Sequence, residues 1–350
     1  MGSKTPAKTG ARIDYLSEIR ALSCIAIVIF HAYLLTAGDA SSFSWVTASL
    51  AVRKALMWAV PCFVMVTGAL LLNPDHPVTV RKIWTKYIPR VFGALLLWSL
   101  AGLIFDAATG VTVYQSAGEA VLGYLKIIFT GSGWAPMWYL YLIIGLYILL
   151  PAYRAVSKGL GKAEMNYLLL MYVIFLSVVP TIQTISGQQI GFYICVSTAY
   201  PLYLFLGHAL VSGKTRISGC AGAVMLIAST LVIIWMAYVA VIRQLQTPTQ
   251  LLNDYGFILH VLQAAGFFAL AMAWTLPGWL KKLLLVIDKR SFGIYLIHFF
   301  WLKAFRNLFG MSLAASGNPA SVLILAALAF VCSLVTAAVL EYIPGIRRVS

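Results

Sequence analysis

The chain has 350 residues, of which 61% are hydrophobic and only 10% are charged. Because a soluble domain carries about 25% charged residues, this composition excludes an ordinary soluble protein and a disordered chain, and it indicates a membrane protein with several spans. The formal net charge of +15 would suggest a polyanionic partner in a soluble protein, but in a membrane protein it is explained by Lys and Arg in cytoplasmic loops.

Hydropathy predicts an all-α integral membrane bundle of about ten transmembrane helices. In chain order the expected spans are 16–36, 48–72, 88–107, 134–152, 165–182, 197–213, 220–242, 254–276, 290–308 and 320–342. Between the third and fourth spans, residues 108–133 are expected to hold an amphipathic or a re-entrant helix. Residues 16–342 are therefore predicted to form a single membrane domain, flanked by cytoplasmic tails at 1–15 and 343–350.

The distribution of positive charge predicts the orientation of the bundle. If the N-terminus is cytoplasmic, eighteen Lys and Arg residues fall on the cytoplasmic side and six on the other, with the excess in alternate loops. Cytoplasmic loops are the ones enriched in these residues, so both termini are predicted to be cytoplasmic.

The first predicted helix carries two ionisable residues on one face. Arg20 and His31 are eleven positions apart, and at about 100° per residue this spacing is within about 20° of whole turns. The two side chains are expected about 16 Å apart along the axis, with Arg20 near the cytoplasmic boundary. Each residue also has a purely structural interpretation. The Arg20 side chain would reach the lipid headgroups, and His31 would form a hydrogen bond between helices. His31 is nevertheless a catalytic candidate, because imidazole exchanges protons near neutral pH.

A second set of polar side chains is predicted near the C-terminus. Ser291, Tyr295 and His298 stand at positions i, i+4 and i+7 of the ninth span, on one face. His298 is expected about 12 Å from the cytoplasmic end, close to the depth of His31. It would be either a second catalytic group or a packed polar contact. Trp138 and Tyr139 fit an interfacial aromatic belt and a sugar-stacking surface equally well.

The other residues that often carry chemistry indicate no further reaction. His208 and His260 are predicted to be structural, and His76 is predicted to lie in a loop. No HExxH, GxSxG, P-loop or CxxC motif occurs, which excludes these signatures of zinc hydrolases, serine esterases and nucleotide hydrolases. The five cysteines have no paired spacing, so they are interpreted as small buried hydrophobic residues: Cys24, Cys62, Cys195, Cys220 and Cys332.

Five segments, in order along the chain, resemble one family of membrane enzymes. They are the Arg-x10-His pattern of the first helix, VPCFVMVTGALLL at 60–72, the basic segment RKIWTKYIPR at 81–90, PMWYLYLIIGLYILLP at 136–151 and RSFGIYLIHFF at 290–300. Together they are similar to the membrane-bound acyltransferase family three. In length, and without an appended domain, the chain most resembles short bacterial members that O-acetylate cell-surface polysaccharide, such as the enterobacterial common antigen acetyltransferase.

Two positions depart from the family pattern. Ser17, beside Glu18, stands where many members have Asp, and Thr67 replaces the usual Ser before Gly68. Glu18 is predicted to point to another face of the helix, so the role of the missing acid is not transferred to it. Thr67 keeps a hydroxyl group.

The resemblance implies an integral-membrane O-acyltransferase, most closely an O-acetyltransferase. It would move an acyl group from cytoplasmic acyl-coenzyme A (acyl-CoA), such as acetyl-CoA, to a hydroxyl of a cell-surface polysaccharide or its lipid-linked precursor. The resemblance implies His31 as general base or transient acyl carrier, with Arg20 and His298 as further catalytic residues.

Substrate-binding residues follow from the same resemblance. Arg20 and the basic cluster would bind the donor, although topology alone explains the cluster equally well: Arg81, Lys82, Lys86 and Arg90. Ser291, Tyr295, Trp138 and Tyr139 are the expected substrate contacts.

The main alternative function is transport of a small solute such as an amino acid, because buried polar residues also serve translocation. Transporters often contain two similar halves, and none are evident in this sequence. An accessory subunit of polysaccharide export would not need a buried Arg–His pair. The expected location is the bacterial inner (cytoplasmic) membrane, as a multi-pass protein surrounded by membrane lipids. No nucleic acid or metal is expected, and a homo-oligomer is left open.

Overall fold

The computed structural model describes residues 14–36, 42–188, 198–307 and 321–343. Within these ranges every regular element is helical and no strand occurs. We label the helices α1 (Asp14–Thr36), α2 (Phe43–Ala55), α3 (Ala59–Leu71), α4 (Val80–Ala108), α5 (Ala117–Thr130), α6 (Trp138–Gly159), α7 (Lys162–Ser186), α8 (Tyr200–Val211), α9 (Gly219–Arg243), α10 (Gln246–Asn253), α11 (Ile258–Ala273), α12 (Gly278–Asn307) and α13 (Ser321–Leu340). Helices α4 and α7 each include one π-turn, at Ile83–Tyr87 and Ile174–Val178.

The predicted all-α membrane bundle is confirmed. Among the described residues, eight helical segments are long and apolar enough to cross a bilayer: Asp14–Thr36, Phe43–Leu71, Val80–Ala108, Ala135–Gly159, Lys162–Ser186, Gly219–Arg243, Gln250–Ala273 and Ser321–Leu340. The two remaining predicted spans correspond to α8, which has only 12 residues, and to α12, which carries several charged residues.

Two predicted helix starts are wrong because charge misled the prediction, and one predicted span is divided in two. Helix α4 begins at Val80 instead of residue 88, and α12 begins at Gly278 instead of residue 290. The basic residues at the start of these helices are expected in loops, but Arg81 and Lys82 lie exposed on the first turn of α4, and Lys282 lies exposed near the start of α12. The second predicted span is divided by a turn at 56–58 into α2 and α3.

Helix α1 lies in the centre of the bundle and packs against α3, α12 and α13. A second close crossing joins α3 to α8, and it depends on two glycines. A Cβ atom placed on Gly68 would overlap the carbonyl oxygen of Leu204, and one on Gly207 would overlap that of Met65. Small residues allow helix backbones to approach this closely in membrane proteins.

Helix α5 lies within the segment predicted to hold an amphipathic or re-entrant helix. The side chain of Ser116 caps its first turn by accepting a hydrogen bond of 3.2 Å from the backbone N–H of Glu119. The helix ends at Gly131, whose φ of 68° favours glycine. None of its residues is buried, and Leu122 and Phe129 are among its exposed apolar side chains. Apolar side chains exposed in this way fit both an amphipathic helix and a re-entrant helix, so the two alternatives stay predictions.

Candidate active site

Helices α1 and α12 run parallel, with their polar residues in register. The guanidinium of Arg20 pairs with the carboxylate of Asp288 (Nε–Oδ1 2.7 Å), and His31 pairs with His298 one level further along both helices. A residue further along α1 therefore contacts a residue further along α12, so the two helices point in the same direction. Parallel helices enter a membrane from the same side, so this arrangement agrees with the predicted positions of the first and ninth spans.

The hydrogen bonds of the two histidines determine where their protons lie. His298 Nδ1 is 2.6 Å from the carbonyl oxygen of Tyr295. A carbonyl can only accept, so this nitrogen carries the proton, and Nε2 of a neutral His298 must be an acceptor. His31 Nδ1 lies 3.0 Å from that Nε2 and therefore donates to it. The remaining nitrogen of His31, Nε2, holds a lone pair and is the one left for a substrate.

Two cavities lie along this pair of helices. The first, which we call the Arg20 cavity, has a volume of about 280 Å³ and is lined by Arg20, Phe63, Thr67, Tyr87, Arg90, Val91, Tyr139, Ile143, Tyr147, Ser291, Phe292 and Tyr295. Two guanidinium groups and several aromatic rings therefore face one space. Arg90 lies over the ring of Phe292, with its Cζ 5.2 Å from the ring centroid.

The second cavity, the His31 cavity, has a volume of about 290 Å³. Its lining residues are Ile27, Phe30, His31, Leu34, Lys54, Leu56, Met57, Ala59, Val60, Ala135, Trp138, Asn253, Tyr255 and Tyr295. Tyr295 lines both cavities, so this one side chain borders both spaces. Its hydroxyl donates a hydrogen bond to the carbonyl of Pro136, which fixes the ring in place.

Aromatic and charged residues pack together next to His31. The ring centroid of Phe299 is 5.8 Å from that of His31 and 5.6 Å from that of Trp134. Trp134 Nε1 donates to Asp106 Oδ2 at 2.7 Å, and Asp106 also pairs with Lys303. This triad joins α4, the segment before α6, and α12.

Most of the predicted site residues face one of the two cavities. Trp138 lines the His31 cavity, Tyr139 and Ser291 line the Arg20 cavity, and Tyr295 lines both. Of the basic cluster, only Arg90 lines a cavity. Three others lie exposed on the first turns of α4, outside both cavities: Arg81, Lys82 and Lys86.

Asp288 is the important residue that the sequence analysis missed. It was placed in a loop, but it lies on α12 with its side chain only 1% exposed. The available signal was periodicity: positions 288, 291, 295 and 298 share one helical face, and an acidic residue on that face was a candidate partner for Arg20. Glu18 points elsewhere, as predicted, and accepts a hydrogen bond of 2.7 Å from Trp274 Nε1.

The other histidines and cysteines lie outside both cavities. His208 and His260 are buried, and His260 Nε2 lies 3.2 Å from the carbonyl of Leu252. Among the described cysteines, Cys24 and Cys62 are buried as predicted, but Cys220 is exposed on the first turn of α9, so that prediction was wrong. Cys195 lies outside the described residues. The described part of the chain holds no group of three His, Cys, Asp or Glu residues that could bind a metal ion.

Residues 13–338 match a family model described as an acyltransferase domain, that of acyltransferase family 3. The chain belongs to this family. The match includes both histidines and both cavities, so acyltransferase family 3 accounts for nearly the whole membrane domain. No curated protein and no solved structure matches the chain. Membership shows an integral-membrane acyltransferase, and the likeness to the enterobacterial common antigen enzymes stays a prediction.

Proposed function

We propose that this acyltransferase moves an acyl group, most simply acetyl, from acyl-CoA to a hydroxyl of a cell-surface polysaccharide or its lipid-linked precursor. The observation that carries the proposal is the pair of cavities that meet at Tyr295, with His31 lining one and Arg20 lining the other. Two substrates from opposite sides of a membrane would need such an arrangement. In this proposal the protein resides in the bacterial inner membrane.

The Arg20 cavity is the proposed donor site. It lies towards the end of α1 that is predicted to be cytoplasmic, and its two guanidinium groups suit phosphate or carbonyl oxygens. Arg20 is oriented by Asp288, and its side chain stays 34% exposed. A volume of about 280 Å³ suits the thioester arm of acyl-CoA better than the whole molecule. The exposed Arg81, Lys82 and Lys86 are then placed to contact the nucleotide end.

His31 is the proposed base. Its Nε2 removes the proton from the acceptor hydroxyl, whose oxygen forms a bond to the thioester carbonyl carbon while the carbon–sulfur bond breaks. The imidazolium then gives its proton to the coenzyme A thiolate. His298 keeps the proton of the resting His31 on Nδ1 and stabilises the imidazolium through its lone pair, so it is a positioning residue. Transient acylation of His31 would use the same nitrogen and remains the second form of this mechanism.

The His31 cavity is the proposed acceptor site. The ring of Trp138 stands beside that of Tyr255, with centroids 5.7 Å apart, and both line the cavity. Aromatic faces of this kind suit the apolar faces of a sugar. The proposal therefore places the sugar against these rings, with one hydroxyl towards His31.

The test is transfer by purified, reconstituted protein. Labelled acetyl-CoA is supplied with a lipid-linked or polymeric glycan, and label in the glycan is measured. Replacing His31 with Ala should reduce the transfer rate by about 10²- to 10⁴-fold. His208→Ala is the matched control, since His208 is also buried but lines neither cavity. A transporter would show no transferase activity in either form, and a His31→Ala protein that transfers label at the wild-type rate would contradict the mechanism.

A further inference from the structure

The His31 cavity contains a buried positive charge that the proposed chemistry does not use. Lys54 is only 3% exposed and lines the cavity together with His31. Its ammonium donates a hydrogen bond of 2.5 Å to Asn253 Oδ1. An ammonium group has three donors, and removing a cation from water is costly unless it is paired with an anion.

No acidic side chain in the described part of the chain lines this cavity. Asp254, which follows Asn253 in the chain, accepts a hydrogen bond of 2.8 Å from the backbone N–H of Gly256 and lines a neighbouring cavity. Lys54 therefore borders the cavity with no carboxylate from the described residues paired to its ammonium. A negatively charged group on a ligand would complete the site.

The orientation of the Asn253 side-chain amide also favours a negatively charged ligand in this cavity. Because an ammonium can only donate, the oxygen of the amide must face Lys54 and the amide nitrogen must point away from it. The nitrogen supplies two further donors, and Asn253 is exposed and lines the cavity. The ammonium of Lys54 and the amide nitrogen of Asn253 thus both belong to residues that line the cavity, and each has N–H groups left to donate to a ligand.

We infer that the acceptor is an anionic sugar, whose carboxylate or phosphate is bound by Lys54 and Asn253 while its ring packs against Trp138 and Tyr255. This inference rests on the proposed function, because it assigns the acceptor class of the same site. Lys54 determines specificity, while His31 performs the chemistry. A neutral sugar would leave the buried ammonium without its partner and would bind more weakly.

The alternative to ligand binding is a purely structural role for Lys54. Lys54 lies in the last turn of α2, where a positive charge interacts favourably with the helix dipole. Arg53 shares that turn, but it donates to the carbonyl of Ser49 (3.2 Å) and does not line the cavity. Arg53→Met is therefore a matched control that removes charge from the same helix end without changing the cavity.

The experiment measures binding without any acyl donor. Wild-type protein in nanodiscs of neutral lipid is titrated with glucuronic acid, glucose 1-phosphate and glucose, and dissociation constants are obtained by ligand-observed NMR. We expect the wild-type protein to bind at least one of the two charged sugars about tenfold or more tightly than glucose, as charged hydrogen bonds allow. A carboxylate preference indicates an acidic sugar, and a phosphate preference indicates a phosphate-linked precursor.

Substitutions at Lys54 and Arg53 test which residue causes the preference for charged sugars over glucose. Lys54→Met should remove it, Lys54→Arg should keep most of it, and Arg53→Met should leave it unchanged. Equal binding of charged and neutral sugars by the wild-type protein would overturn the inference even if Lys54→Met failed to fold. A Lys54→Met protein that keeps the preference would overturn it as well. Because no donor is present, these outcomes are independent of whether the protein transfers acyl groups.

Discussion

The Nδ1 atom of His31 and the Nε2 atom of His298 are 3.0 Å apart, although the residues are separated by 267 positions in the chain. Since His298 Nδ1 is held by a backbone carbonyl, this bond selects one tautomer of His31 and leaves its Nε2 as the basic nitrogen. The relationship resembles the way in which an acid orients the histidine of a hydrolase, with a neutral imidazole in the place of the acid.

The orienting role of His298 predicts different effects for two substitutions. His298→Phe removes the acceptor for His31 Nδ1–H, so the turnover number should fall by about 10²-fold with little change in KM for acyl-CoA. His298→Gln should retain more activity, because its amide oxygen can accept the same hydrogen bond. Steady-state kinetics on both variants provide the measurement. Equal losses at unchanged thermal stability would show that His298 only fills space.

The Arg20–Asp288 pair predicts that a substitution at Asp288 weakens binding of the acyl donor. Asp288→Asn should raise KM for acyl-CoA about tenfold, because Arg20 loses the charged partner that orients it. Arg20→Lys should behave similarly, because lysine lacks the planar fork that contacts both carboxylate oxygens. Arg290→Gln is the control, since Arg290 lies on the same helix as Asp288, pairs with the half-buried Glu341 after α13 and lines neither cavity. A similar KM in Asp288→Asn and Arg290→Gln would exclude the orienting role.

The crossing of α3 and α8 predicts a stability effect at Gly68. Gly68→Ala places a methyl group against the backbone of Leu204 and should lower the free energy of unfolding by about 1–3 kcal/mol. Gly145→Ala is the comparison, because Gly145 lies within α6 and has open space beside it. Thermal unfolding in detergent measures both. If both variants melted at the wild-type temperature, the two helices would not approach as closely as described.

The triad beside His31 predicts a compensating double substitution. Lys303→Met leaves the partly buried carboxylate of Asp106 without its cation and should destabilise the protein by about 1–3 kcal/mol. The double variant Asp106→Asn, Lys303→Met removes both charges and should recover most of that loss. Thermal unfolding of the two single variants and the double variant gives the coupling energy. Additive losses would mean that the two charges do not stabilise each other.

The charge asymmetry and the parallel α1 and α12 predict the membrane orientation. Tags at both termini should be inaccessible from outside intact cells, and so should a cysteine at His76, in the exposed loop after α3. A cysteine at Gln244, after α9, should react with a membrane-impermeant reagent. Both would be introduced into a variant without its native cysteines. Labelling of either terminus from outside would contradict the predicted orientation.

The sequence by itself determined the class of the protein and pointed to three of the four residues in the two pairs, namely Arg20, His31 and His298. Its hydropathy indicated a helical membrane bundle, because a backbone without water must satisfy its own hydrogen bonds. Helical periodicity placed Arg20 and His31 on one face, since three-residue and four-residue spacings are local properties of a helix. The same local rule placed Ser291, Tyr295 and His298 together.

Only the tertiary structure decided which faces meet. The register between α1 and α12 brings Asp288 to Arg20 and His298 to His31, and no local pattern encodes a contact across more than 260 positions. The His31 cavity likewise joins residues of α1, α2, α10 and α12 with the segment before α11, so the position of Lys54 beside His31 could not be derived from spacing. Charge within α4 and α12 was assigned to loops because hydropathy averages over a helix and ignores which face is exposed. Helix packing selects that face, and packing depends on the whole bundle.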